Sequence, residues 1–294
     1  MLKEARVELQ KDMINLIQVF QGSENITNMV KSRLADIFRF QGQWKEAERL
    51  VMQVMETEKR ELDEPMANQL EYQKAVGSLM YAMTATRPDL AFAVGKFSQF
   101  CHSPSARNRA GLQRVFHYLQ GTKALKITYS KACPNGIFAY SDSDYAGDSM
   151  DRKSTHGYVF TLAGGVISWS SRKQKTTATS TTEAEYVGLC AAAKTAAWIT
   201  GWLKEANLMR FLDRKPVQLY GDNQSSIRLV KNPEFHARTK HIDVQYHYVR
   251  EALEDGLIEL FYVSTIDMMA DCLTKPLTKE KFQAGLSLLG LVDI

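Results

Sequence analysis

Cutting a phosphodiester with the help of metal ions requires several carboxylates that converge on one point. Two hard cations about 3.5 to 4 Å apart must be held by oxygen ligands while they share the scissile phosphate. Four acids of this chain invite that reading. Asp142 lies in YSDSDYAGD (Tyr140 to Asp148) and shares the parity of Phe138 and Tyr140, so on a strand it points to the same face as those rings. Asp144 has the same parity but falls where the strand should end. A polar strand end turning into an Asp-capped loop accounts for the same residues.

Glu185 is singled out by helical geometry. Ser180 and Glu183 form the S-x-x-E pattern of a capping box, which gives Glu183 a structural task at a helix start. At about 100° per residue, Glu185 aligns with Leu189, Ala192 and Ala196 and lies about 180° from Lys194, whereas Glu183 lies within about 20° of Lys194. Glu183 is therefore expected in solvent and Glu185 against a sheet, where an unpaired carboxylate is costly. Asp222 follows the apolar run Val217 to Tyr220 in LYGDNQSS, and an N-cap role explains it equally well. Asp271 falls in the first turns of a final helix expected from about Asp267, where the helix dipole alone would favour an acid.

These positions imply a frame. Ile137 to Ser143, Tyr158 to Leu162 and Val166 to Ser171 read as strands, with Gly164-Gly165 as a hairpin signal. An Ala-rich helix follows from about Thr182 to Leu203, then a strand Val217 to Tyr220. Helices over Gln224 to Val230 and Val244 to Glu254, a strand Ile258 to Val263 and the final helix complete the order. That order specifies an α/β domain with a mixed sheet covered by helices. Residues 66 to 128 read as helices broken at Arg87-Pro88-Asp89 and Ser103-Pro104. Ahead of them, residues 1 to 64 read as an all-α segment. Its stretch from Arg33 to Leu62 resembles a single tetratricopeptide-type repeat, more readily an appendage packed on the rest of the chain or on another chain than a solenoid of its own.

Several collinear stretches now carry a resemblance. They are YQKAVGSLMYAMTATRPDLAFAV (Tyr72 to Val94), RVFHYLQGT (Arg114 to Thr122), YSDSDYAGD, RKSTHGYVF (Arg152 to Phe160), STTEAEYVGL (Ser180 to Leu189), GDNQSSIRLVKNP (Gly221 to Pro233), FHARTKHIDVQYHYVRE (Phe235 to Glu251) and MADCLTKPL (Met269 to Leu277). Together they resemble the end of the Pol polyprotein of Ty1/copia-type LTR retrotransposons, the last part of reverse transcriptase followed by ribonuclease H. The resemblance implies a ribonuclease H-like mixed five-stranded sheet flanked by helices, and metal-dependent cleavage of the RNA strand of an RNA/DNA hybrid. Carried over residue by residue, the family's catalytic acids fall on Asp142, Glu185, Asp222 and Asp271. They would hold two Mg²⁺ or Mn²⁺ ions. Asn108 and Arg109 replace the family's usual His-Trp pair, and no Tyr-x-Asp-Asp motif occurs, so polymerase activity is not expected. The implied division is residues 1–64, a reverse-transcriptase remnant at 65–133 and a ribonuclease H-like domain at 134–294.

Composition narrows the setting. The 294 residues are 45% hydrophobic and 24% charged, which excludes a disordered chain. No apolar run is long enough to span a bilayer, so no membrane partner is expected. The four cysteines are scattered without a C-x-x-C pair, which favours a reducing compartment, cytoplasm or nucleus. Residues 1–64 carry 10 Lys+Arg against 12 Asp+Glu, and the remainder 27 against 21, a mildly basic balance that by itself decides nothing. Two basic groups could contact hybrid phosphates, Arg172, Lys173 and Lys175 before the long helix, and Arg238, Lys240 and His241 in the RTKH stretch. Two other readings compete: a decaying or domesticated relic that binds nucleic acid without cleaving it, and a protein-interaction module acting through residues 1–64.

Overall fold

A computed structural model describes residues 69–213, 216–232 and 248–293. The expected helices of residues 1–64, the start of the helix at Val244, and Arg238, Lys240 and His241 lie outside the described residues. Seven α-helices are described: α1 (Gln69–Ala85), α2 (Ala91–Ser98), α3 (Ala106–Gly121), α4 (Thr181–Glu205), α5 (Gln224–Lys231), α6 (Tyr248–Glu254) and α7 (Lys279–Leu288). The strands are β1 (Leu125–Ile127), β2 (Phe138–Ser143), β3 (Thr155–Leu162), β4 (Gly165–Lys173), β5 (Val217–Gly221), β6 (Ile258–Tyr262) and β7 (Leu291–Asp293). No helix among the described residues is long and apolar enough to cross a membrane.

The main sheet has the order β4-β3-β2-β5-β6. Its β4, β3 and β2 run antiparallel, while β5 and β6 run parallel to β2. This is the mixed five-stranded α/β sheet expected from the sequence. The β3–β4 hairpin turns on Ala163 and Gly164, with φ of 52° and 81°, one residue earlier than the Gly-Gly pair suggests. Positive φ at both central positions is what a tight hairpin with right-twisted strands demands. Gly165 instead opens β4, and a β carbon there would collide with the Thr128 carbonyl oxygen.

Each sheet face has its own core. On one, Ile137, Ala139, Phe160, Val217, Leu219, Ile258 and Leu260 pack with the small residues of α4, namely Ala192, Ala193 and Ala196. On the other, Val159 and Val166 pack with Ala91, Cys272, Leu273, Leu289 and Leu291. The helix expected from Asp267 is not formed there. A 3₁₀ turn spans Met269–Leu273 and α7 begins only at Lys279, after the N-cap Thr278. Pro276 lacks an N–H and disfavours helical backbone at the residue before it, so the first turn cannot propagate. The three-residue strands β1 and β7, which pair antiparallel, are too short to show an alternating pattern.

By contacts the described chain falls into two compact units, 69–78 with Phe100–His117, and Leu79–Gln99 with Tyr118–Ile294. In the first, the Gln73 amide donates to the Cys101 carbonyl at 2.9 Å. In the second, Arg87 and Asp89 form a buried two-pronged ion pair at 2.9 and 2.7 Å, completed by the Tyr118 hydroxyl and by Thr122. The same unit protects the outer strand β4: the Trp169 indole N–H donates to the Met83 carbonyl at 2.7 Å, and the Tyr129 hydroxyl to the Val166 carbonyl at 2.8 Å.

His156 on β3 stands between Ser143 of β2 and Arg172 of β4. Burial, reinforced by Arg172, pushes its pKa down from 6.5 to about 4. The unfolded chain takes up this proton first, so the stability held by the neutral ring is complete above pH 6.5 and drains away as pH falls toward 4. His156→Gln should therefore lose less stability than the parent on acidification, by on the order of 2 kcal/mol, in urea titrations above and within that window.

Candidate metal centre

Parallel pairing of β2 with β5 sets Ser141 against Gly221, which places the next residues, Asp142 and Asp222, side by side where the two strands end. The third acid arrives from the 3₁₀ turn. Its approach depends on Gly157, which faces Asp142 across the β2–β3 ladder. A β carbon on Gly157 would sit 2.6 Å from the Leu273 Cβ and 3.0 Å from the Thr274 Cγ2, so only a bare backbone lets the turn lie against β3. With the turn seated, carboxylate oxygens of Asp142, Asp222 and Asp271 all lie within 4.8 Å of one another.

Glu185 comes from the opposite layer. Helix α4 closes onto β2 at Gly188, where a β carbon would meet the Ser143 and Ser141 hydroxyls at 2.6 and 3.1 Å. One turn earlier on the same face, Glu185 is only 7% exposed and accepts a backbone hydrogen bond from Ser143. It is not one of the three acids in mutual ligand reach, but it feels their charge. Burial, then Asp142 and Asp222, push its pKa up to about 10. Burial also raises Asp142 and Asp222, and Asp142 adds to the rise at Asp222. The compensating charge is Lys275, whose Nζ lies 2.8 Å from Asp271 Oδ1 and 3.5 Å from Asp142 Oδ2. Burial works against this ammonium, yet Asp142, Asp271 and Asp222 hold its pKa above the ordinary value.

Several bland alternatives resolve. The N-cap of α5 is Asn223, whose side chain accepts from the Ser226 N–H at 2.9 Å, so Asp222 is not the cap. Its carboxylate accepts instead from the Thr265 hydroxyl at 3.0 Å. Asp144 accepts from the Thr155 N–H, beyond the strand and outside the trio. Glu183 corrects the helical-wheel expectation: it is 8% exposed, not in solvent. Its carboxylate bends back to the Thr179 N–H and hydroxyl, each at 2.7 Å, while the Ser180 hydroxyl caps the Glu183 N–H. Capping geometry at the first turn outweighs the angular position of the Cβ.

Of the first basic group, Arg172 and Lys175 are exposed. Lys173 is engaged within the chain, 2.9 Å from both Asp148 and Asp151, and Lys96 adds a second cation on Asp148 at 3.3 Å. Led by the bond from Lys173, these hold the Asp148 carboxyl well below the usual carboxylate range. Sequence reasoning did not single out Gly157, Thr274 or Lys275. The last two follow Asp271 by three and four residues in MADCLTKPL, a spacing open to inspection, but their partner Asp142 is far away in the chain.

A cluster of carboxylate oxygens, with the Lys275 ammonium against it, suits a hard, oxygen-seeking divalent cation. Glu185 titrates above its unfolded value, so the fold binds its proton more tightly and this contribution to stability falls as pH rises from 4.5 toward 10. Glu185→Gln should accordingly raise metal-free stability at mildly alkaline pH by roughly 1–3 kcal/mol in chemical denaturation, with a smaller gain near the lower limit. Gly157→Ala should cost about 1–3 kcal/mol and weaken divalent-ion binding seen by calorimetry, because the turn carrying Asp271 must move.

No family model matches the chain. Curated relatives do. The chain is 43% identical over 220 residues to the retrovirus-related Pol polyprotein from transposon TNT 1-94 of Nicotiana tabacum, covering 75% of this chain and 16% of that protein. It is 42% identical over 224 residues to the retrovirus-related Pol polyprotein from transposon RE1 of Arabidopsis thaliana, covering 76% and 15%. It thus spans about a sixth of the length of these relatives. Among solved structures, an RNase H1 isolated from compost by a metagenomic approach covers 52% of this chain and 99% of its own, with a TM-score of 0.37 and 18% identity. By this kinship the chain belongs to the Ty1/copia-type family of retrotransposon Pol polyproteins.

Proposed function

We propose that this chain hydrolyses the RNA strand of RNA/DNA hybrids endonucleolytically, with two Mg²⁺ or Mn²⁺ ions held by Asp142, Glu185, Asp222 and Asp271. The observation that carries this reading is the convergence of three aspartate carboxylates within 4.8 Å at the end of the sheet, with Glu185 buried beside them. When bound, such ions supply activation of the attacking water and stabilisation of the leaving 3′ oxygen, which gives 5′-phosphate and 3′-hydroxyl ends. The chain's part is to hold the oxygen donors on rigid strand ends and one helix, and to keep Glu185 poised to give up its proton as a cation arrives.

Hybrid phosphates are assigned to Arg172 and Lys175, which are exposed, together with Arg238, Lys240 and His241. Lys173 takes part with its charge already shared by Asp148 and Asp151. Affinity should fall with added salt and carry no sequence preference. By descent, residues 65–133 are the reverse-transcriptase remnant and 134–294 the ribonuclease H-like domain, in an intracellular setting. Residues 1–64 are assigned to a protein partner.

The test is cleavage of an end-labelled RNA/DNA hybrid by the full chain in Mg²⁺ or Mn²⁺. Asp142→Asn should lower the rate by about 100-fold or more, while Glu183→Gln stays within a few-fold of the parent. A folded parent chain that binds the hybrid yet leaves it uncut in both metals would overturn the assignment in favour of the non-cleaving relic.

A further inference from the structure

Thr274 is fully buried, immediately after the 3₁₀ turn that carries Asp271. Its methyl and its hydroxyl have separate tasks. The methyl lies over Gly157, where even a single added carbon would press on it. The hydroxyl donates to Asp142 Oδ2 and also lies 3.2 Å from the Asp271 carbonyl. A hydroxyl has one proton to give, and a carboxylate is the stronger acceptor, so the bond to Asp142 holds it. Lys275 approaches the same oxygen at 3.5 Å. Two donors on Oδ2 fix the rotation of the carboxylate about its Cβ–Cγ bond and thereby decide where Oδ1 points.

We propose that Thr274 is a positioning residue whose hydroxyl orients the Asp142 carboxylate to share a cation with Asp222 and Asp271. The proposal rests on the metal-binding reading given above. It joins the residue following the turn to an acid more than a hundred residues earlier, so that seating the turn and aiming the first ligand become one event. Groups that orient a metal ligand in this way typically contribute 10- to 100-fold to metal affinity.

The experiment is a titration of the full chain with Mn²⁺ alone, followed by calorimetry and by the electron paramagnetic resonance signal of free Mn²⁺. The samples are the parent, Thr274→Val, Thr274→Ser, Thr274→Ala and Asp142→Asn, with circular dichroism to verify folding. Valine keeps the shape and removes the donor, and should weaken Mn²⁺ binding about 10-fold or more. Serine keeps the donor and should bind within about 3-fold of the parent, a rescue that packing alone does not give. Should the valine chain fail to fold, the serine and alanine variants carry the comparison, since both lack the methyl and differ only in the hydroxyl. Equal affinities in valine and parent, or in serine and alanine, overturn the role of Thr274. Where Asp142→Asn nevertheless loses binding, the metal site itself stands. Equal binding by Asp142→Asn and the parent would instead overturn the metal reading and this proposal with it.

Discussion

Like charges gathered in a water-poor place repel one another, and that repulsion governs the rest of this molecule. Asp142, Asp222 and Asp271 would drift apart on any loosely packed scaffold, and burial together with Asp142 and Asp222 keeps the proton on Glu185 beside them. Here each sits on a different element, and each element is held by apolar packing that has nothing to do with charge. The two aspartates at the sheet end are fixed by the β2–β5 ladder, and the other two acids by the closeness of α4 and the 3₁₀ turn. Gly188 and Gly157 permit that closeness. Among the described residues Lys275 then supplies an ammonium to these acids and lowers the tension without removing it.

The same division between apolar anchorage and local charge pairing recurs away from the centre. Arg87 and Asp89 are buried as a pair only because Tyr118 and Thr122 satisfy the remaining valences of the guanidinium and the carboxylate. Asp148 is buried under two lysines, which pins the loop between β2 and β3 to α2 and β4. Neither arrangement adds charge to the acidic centre, and both hold its framework.

Patterns that rest on local periodicity were legible from the sequence. The succession of strands along the chain, the long helix and the inward turn of Glu185 follow from alternation and from about 100° per residue. Features set by competition between neighbours were not. The capping box of Ser180 and Glu183 was legible, but the burial of the Glu183 carboxylate that follows from it was not, and neither was the choice of Asn223 over Asp222 as the cap of α5. Asp271 sits on a 3₁₀ turn because Pro276 stops the helix that its apolar neighbours would otherwise favour. The ion pairs of Lys173 and the reach of Thr274 to Asp142 join residues from separate strands and turns, and no spacing in the sequence encodes such a meeting.

The cover over β4 has a consequence for how the protein can be divided. An outer strand exposes a row of unspent backbone donors and acceptors, ready to zip onto another chain. Here the Tyr129 hydroxyl donates to the Val166 carbonyl of that margin and the Met83 carbonyl holds the Trp169 indole over it, and both partners precede the first strand of the main sheet. A fragment cut to begin at β2 would keep all four acids and lose this selvedge, leaving the β4 margin open to another chain.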